Sequence, residues 1–196
     1  MFNKLSVKIA DKFENKGIIQ STGREVCEYG LRQIFSSLLN IITMLCIGFL
    51  MGMIAETVIF TVAYIPLRSY AGGYHASSPK RCWAISALML FLNLSAIKYI
   101  PELFYNYFAI LTLIAGISII MLSPVEDINK PLDDKEKKIY HTKTLVLIII
   151  ELTIIVILHF FNIKQIALTL EMVLITLSIM LIIGKIKLKI ANIKSR

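Results

Sequence analysis

Charge is scarce in this sequence. Asp, Glu, Lys and Arg make up 17% of its 196 residues, against about a quarter of an average soluble domain. Cysteine is sparse too. Cys27, Cys46 and Cys82 are odd in number and form no CxxC pair, which excludes a disulfide framework. They offer no metal centre either: His75 and Cys82 make two ligands, and neither Cys27 nor His141 has ligand-like spacing to them. A protein metal site takes three or four, so no metal and no cofactor is expected. A cleavable signal peptide is also missing, because the first 34 residues are charged throughout instead of turning apolar after a short basic start.

What the chain does hold is apolar. Hydrophobic residues reach 57% and the mean hydropathy is +0.73. A soluble protein of this length has too much surface to hide so many Ile and Leu side chains, and a disordered chain needs low hydrophobicity. An all-α integral membrane protein is left. The net charge of +8 comes from 21 Lys+Arg against 13 Asp+Glu. These charges lie between the apolar runs, which points to anionic lipid as the partner and away from nucleic acid.

A membrane span takes roughly 20 mostly apolar residues, and the chain offers about six. The run from Phe35 to Leu67 holds two short ones, with the turn near Gly48, Gly52 and Glu56. The others cover about Cys82–Ile97, Leu103–Leu122, Thr144–Phe161 and Gln165–Gly184, with external turns at Pro101 and Asn162–Lys164. With six spans, all but two of the 21 basic residues fall on one side; Lys98 and Lys164 are the exceptions. Cytoplasmic loops carry the positive excess, so both termini and the loops at 68–81 and 123–143 are expected in the cytoplasm. Five spans would put the N-terminal lysines opposite the rest. The organisation expected is therefore an N-terminal cytoplasmic segment (1–34), a six-span domain (35–184) and a basic cytoplasmic tail (185–196).

Residues 1–16 differ from the spans. Phe2, Leu5, Ile9 and Phe13 form an apolar stripe beside Lys4, Lys8, Lys12 and Lys16. That pattern suits an amphipathic in-plane helix on an anionic surface, and equally a solvated helix packed on the protein's own inner loops. The alternation of Lys with Ile or Leu over Lys185–Lys189 reads as an anchor after the last span.

The chemistry-bearing stretch is the polar loop at 68–82. Gly72 and Gly73 permit positive φ and close approach by another segment. Ser78 suits a helix cap and Pro79 its first turn, which puts Cys82 at the start of a helix, where free N–H groups and the dipole favour a thiolate. His75 lies seven residues upstream. A continuous helix would hold the two about 10 Å apart, so contact requires a fold-back that the glycines and Pro79 allow. A Cys activated by a His is a nucleophilic pair; a lone loop His and a small packed Cys are the plain reading of the same residues.

The run Arg68…Gly72-Gly73-Tyr74-His75-Ala76…Cys82 resembles the signature of the AgrB family, the accessory gene regulator B membrane peptidases. Glu28-Tyr29-Gly30-Leu31 looks like that family's N-terminal signature, and the segment from Pro124 to Leu132 like its proline-bounded inner loop. The likeness covers nearly the whole chain. It implies a cysteine endopeptidase that cuts an AgrD-type quorum-sensing propeptide on the C-terminal side of its future ring and promotes thiolactone or lactone closure. Carried over, Cys82 is the nucleophile and His75 the general base and later acid. The resemblance also implies a homodimer.

Around that pair, Arg68 suits a peptide carboxylate or developing negative charge, and equally a juxtamembrane anchor. Gly72 and Gly73 suit an oxyanion hole or a plain turn. No third residue that orients His75 stands out, since nothing in the sequence brings Glu126 or Asp127 near. Glu56, Glu151 and Glu171 lie in or near spans, where carboxylates are costly. They can pair with a polar group such as Asn93, or line a path. Two rival functions follow: a transporter or exporter using those glutamates, and a scaffold whose loop only binds peptide.

Overall fold

The computed structural model describes residues 3–74, 76, 78–126 and 132–194. It is all-helical among these residues, apart from one isolated bridge between Gly72 and Val125. Seven helices follow in order: α1 (Asn3–Asn15), α2 (Arg24–Met51), α3 (Ile54–Ala71), α4 (Pro79–Tyr99), α5 (Tyr105–Leu122), α6 (Asp134–Phe160) and α7 (Lys164–Lys194). Short 3-10 turns precede α2 and α5.

Five of these segments are long and apolar enough to cross a membrane: Ser21–Met51, Pro79–Tyr99, Glu102–Leu122, Asp134–Phe160 and Lys164–Ala191. The apolar run expected to hold two spans does break into two helices, at Gly52-Met53. Gly52 adopts φ 70° and ends α2, and its N–H donates to the Phe49 carbonyl at 3.1 Å. Only glycine takes that conformation without a Cβ penalty. The second helix, α3, has 18 residues and carries Glu56 and Arg68, which leaves it short of the apolar content of the other five.

Contacts between the turns sort the helix ends into two groups. At one end Lys98 Nζ donates to the Met51 carbonyl (2.9 Å), Lys164 pairs with Glu102 (3.1 Å), and Gln165 donates to Glu56 (2.7 Å). The α2–α3, α4–α5 and α6–α7 turns therefore meet there. At the other end the 72–74 loop meets Val125 and α7, and α1 joins α2. The six long helices thus run alternately between the two ends, and the start of α2 and the last turns of α7 lie at the second one.

The boundaries at residues 34 and 184 mark changes of charge and not of structure. The helix α2 starts eleven residues before Phe35, and α7 continues past Gly184 through the lysines. Backbone hydrogen bonding carries a helix across such a change of solvent. At α6 the helix begins outside the apolar run, at a capping box: Glu136 N–H donates to Asp133 Oδ1 (2.6 Å) and Asp133 N–H to Glu136 Oε2 (3.2 Å).

The core is built around α7. Leu168, Val173, Leu174, Leu177 and Leu181 are buried, against Phe60 and Leu67 of α3, Leu90 and Leu94 of α4 and Ile119 of α5. Outward faces are apolar as well: Phe49, Leu50, Val62, Leu113, Ile149 and Val156 are all exposed. No water-soluble surface presents such a band, and a bilayer covers it.

The first helix docks on α2, with Ser6 and Ala10 buried and Ile9 and Phe13 of its apolar stripe half-buried. Arg24 fixes the junction by binding Asp11 (2.6 Å) and Glu14 (3.4 Å), and Glu28 pairs in turn with Arg32. Lys4, Lys8 and Lys12 stay exposed, as does Leu5; Phe2 lies outside the described residues.

Candidate active site

The loop between α3 and α4 is held by its neighbours on three sides. Gly72 has φ 75° and Gly73 φ 116°, both in the region that favours glycine. Val125 N–H donates to the Ala71 carbonyl (2.9 Å), and Gly73 N–H donates to the Val125 carbonyl (3.3 Å). Tyr74 N–H donates to the Met180 carbonyl of α7 (2.9 Å). The Arg68 guanidinium donates to the carbonyls of Gly72 and Tyr74. Gly184 of α7 sits directly under the loop: a Cβ there would come 2.5 Å from the Gly73 carbonyl carbon and 2.6 Å from the Tyr74 nitrogen.

Ser78 caps α4 as its sequence suggests, accepting from Arg81 N–H at 3.3 Å, with Pro79 in the first turn. Cys82 follows one turn in. Its N–H donates to the Ser78 carbonyl (3.0 Å), and its side chain is exposed. The neighbouring Trp83 ties α4 to α2 by donating Nε1–H to Thr43 Oγ1 (2.9 Å).

Cys82 opens onto a cavity of about 360 Å³ between α2, α3, α4 and the loop. Arg68, Tyr74 and Ala76 line it beside Cys82, as do Tyr64 of α3 and Asn40 of α2. His75 lies outside the described residues; both of its chain neighbours line this cavity. Asp127 also lies outside them.

Two expectations change. The N–H groups of Gly72 and Gly73 are not free for an oxyanion in this structure, because they are spent on the Arg68 and Val125 carbonyls. The role of Arg68 as a general anion binder also narrows, since two of its donor directions hold the loop backbone. Sequence reasoning missed the partners that do this holding, Val125 and Met180. A backbone carbonyl gives no signal in a sequence, and both lie far along the chain.

The inner loop is clasped from the other side. Lys137 pairs with Glu126 at 2.7 Å, and Leu132 N–H donates to Glu126 Oε2 (3.2 Å). The Lys137 hydrogen bond holds the Glu126 carboxyl below the usual carboxylate range, and the same bond raises Lys137. His141 anchors the segment by donating Nδ1–H to the Ser123 carbonyl (2.9 Å).

The glutamates in or near spans separate. Glu56 lies at the turn end with Gln165. Glu171 is buried and meets His159 at 2.7 Å, a partner the sequence did not reveal. Glu151 is 5% exposed and its Oε1 has no hydrogen-bond partner among the described residues. Asn93 serves neither: it accepts from Thr176 Oγ1 (2.9 Å) and donates to the Met89 carbonyl (2.8 Å).

Comparison with known proteins identifies the family. The model of the accessory gene regulator B family matches residues 6–186. AgrB-like protein 2 of Clostridium perfringens strain 13 is 25% identical over 144 residues, covering 70% of this chain and 67% of its own. An AgrB-like protein of Clostridium perfringens strain SM101 matches with the same identity and coverage. No solved structure matches. A family match that runs from the first helix into the last, across the cavity and both loops around it, leaves one conclusion: the chain belongs to the accessory gene regulator B family.

Proposed function

We propose that the protein is a membrane-embedded cysteine endopeptidase that removes the C-terminal tail of an AgrD-type propeptide. The observation that carries this reading is the placement of Cys82, exposed at the start of α4 and opening onto a cavity whose wall is the Arg68-held glycine loop. His75 takes the Cys82 proton, and the thiolate adds to the scissile carbonyl. Collapse of the tetrahedral adduct breaks the C–N bond. His75 returns the proton to the departing amine, and the acyl group remains as a thioester on Cys82. An internal thiol or hydroxyl of the peptide then attacks the thioester, forming the ring and freeing Cys82. The thioester keeps enough acyl reactivity for this without ATP, and an apolar cavity that limits water favours closure over hydrolysis.

Six spans with the loop end in the cytoplasm are part of the same proposal. The basic residues cluster at that end, as cytoplasmic segments do. The first helix then lies at the inner surface, with its lysines and Leu5 free for anionic lipid. The transporter reading draws on Glu151, whose Oε1 has no hydrogen-bond partner among the described residues and which lines a separate apolar cavity of about 490 Å³ between α3, α6 and α7.

Co-expression with an AgrD-type precursor decides between them. Cys82→Ala and His75→Ala each abolish cleavage while the protein still inserts, and a Cys27→Ala, Cys46→Ala variant still cuts. Normal cleavage by Cys82→Ala sinks the peptidase.

A further inference from the structure

The glycine loop leaves the attack by Cys82 without an obvious holder for its negative charge. When a thiolate adds to a carbonyl, the oxygen becomes an anion and needs a donor within about 3 Å. The N–H groups of Gly72, Gly73, Tyr74 and Cys82 donate to the protein's own carbonyls. That of Arg81 donates to Ser78 Oγ. None of these is free to meet an oxyanion in this structure.

The helix that carries Cys82 supplies a donor of another kind. Cys82, Ile85, Ser86 and Met89 all line the cavity. Their spacing is that of one helical stripe, so this face of α4 forms the wall. Ser86 bears the one hydroxyl on the stripe. It stands four residues after Cys82, which sets the two Cβ atoms about 5–6 Å apart. Helix side chains lean toward the N-terminus, so Ser86 Oγ leans toward the Cys82 turn. The oxygen of an acyl group bonded to Cys82 Sγ fits between them. The hydroxyl is also unspent. Thr43, Thr57, Thr61 and Ser69 each donate to the carbonyl one turn back, whereas Ser86 makes no hydrogen bond among the described residues. Ser86 is only half-buried, and its Oγ is not among the enclosed, unpartnered polar atoms, so the cavity reaches it. Ser37 and Tyr64 bring hydroxyls to the same cavity from α2 and α3, but Ser86 has its distance to Cys82 fixed by a shared helix. Resting on the peptidase reading, we propose that Ser86 is a catalytic residue, donating Oγ–H to the oxyanion of the tetrahedral adduct on Cys82.

Two reagents that attack the same sulfur by different routes test this without the natural precursor. With p-nitrophenyl acetate the Cys82 thiolate adds to the carbonyl through an oxyanion; the S–C bond forms, the C–O bond breaks, and p-nitrophenolate leaves. With iodoacetamide the thiolate displaces iodide, and no oxyanion forms. The full-length protein in detergent carries Cys27→Ala and Cys46→Ala, so that Cys82 is its one thiol, and a Cys82→Ala version supplies the background. Mass spectrometry follows acetylation and alkylation at Cys82. Ser86→Ala slows acetylation by about a hundredfold, the scale of one oxyanion donor, and leaves alkylation unchanged. Ser86→Thr, which keeps a hydroxyl, restores most of the acetylation rate. A Ser86→Ala protein acetylated at the parent rate overturns the assignment. So does an equal fall in both reactions, which would make Ser86 a support of the thiol and not of the oxyanion, and so does a Ser86→Thr protein as slow as Ser86→Ala. A parent protein whose Cys82 is acetylated no faster than free N-acetylcysteine sinks the peptidase reading itself, a different result from the failure of Ser86 alone.

Discussion

Three glycines meet at the loop with no room for a methyl group, Gly72, Gly73 and Gly184, and the last is 111 residues beyond Gly73 in sequence. At Gly184 the obstruction is backbone, the Gly73 carbonyl carbon and the Tyr74 nitrogen, so no rotamer change relieves it. Gly184→Ala should push the loop off α7, costing about 1–3 kcal/mol as overpacking does, and should remove most propeptide cleavage. Gly30 stands in α2 with open space around its Cα, and Gly30→Ala should leave cleavage intact. Thermal unfolding in detergent and a cleavage assay on both variants check the contrast. Equal behaviour would show that the close approach of α7 to the loop does not matter. The sequence announced Gly72 and Gly73 as permissive positions, and their positive φ values follow. It gave no hint that Gly184, which reads as the end of an apolar run, completes the same contact.

Among the elements, the segment from Val125 to the start of α6 is the one whose role emerges late. Val125 closes the bridge that holds the glycine loop, and Glu126 next to it is clasped by Lys137 and Leu132 N–H. Since Lys137 lowers the folded-state pKa of Glu126, the carboxylate's contribution is fully present above its unfolded value and is lost as pH falls through the folded one. Lys137 is raised, so its contribution is present below its unfolded value and is lost only as pH rises through the folded one. The clasp therefore holds across neutral pH and opens in acid, below the ordinary carboxylate range. Limited proteolysis of the 126–137 segment should speed up there, by no more than about fivefold because the pair is exposed. Glu126→Gln should show the acid rate at neutral pH. A cutting rate flat with pH would refute the clasp. The sequence did carry the local half of this element: the capping box at Asp133 and Glu136 is a readable signal. Its contact with residues 71–73 joins positions some fifty apart, which no spacing rule encodes.

For the molecule as a whole, two properties follow from α7 at the centre and the grouping of helix ends. Leu177 is fully buried, whereas Phe49 is 71% exposed on the outer face of α2. Leu177→Ala should destabilise by about 2–5 kcal/mol, and Phe49→Ala, whose side chain keeps lipid around it in either state, should change little; unfolding in detergent ranks them. The second property is sidedness. A membrane-impermeant maleimide should leave Cys82 unlabelled in intact cells and label it in inverted vesicles. Labelling from outside would reverse the orientation.

Much of this was legible along the chain. Helices follow from apolar runs of spanning length, their grouping from the side on which lysines fall, the break in the first run from a glycine, and the start of α4 from Ser78 and Pro79. All of these are local effects: a run, a cap or a charge acts through neighbours within a turn or a loop. The fate of the Gly72 and Gly73 N–H groups, the pairing of His159 with Glu171, and the cavity that sets Asn40 beside Cys82 needed the packed bundle. Each joins residues from different helices, and apolar helix faces read alike until packing chooses their neighbours. The polar loop drew attention to Cys82; the helices around it decided which of the loop's backbone groups are spent on internal bonds.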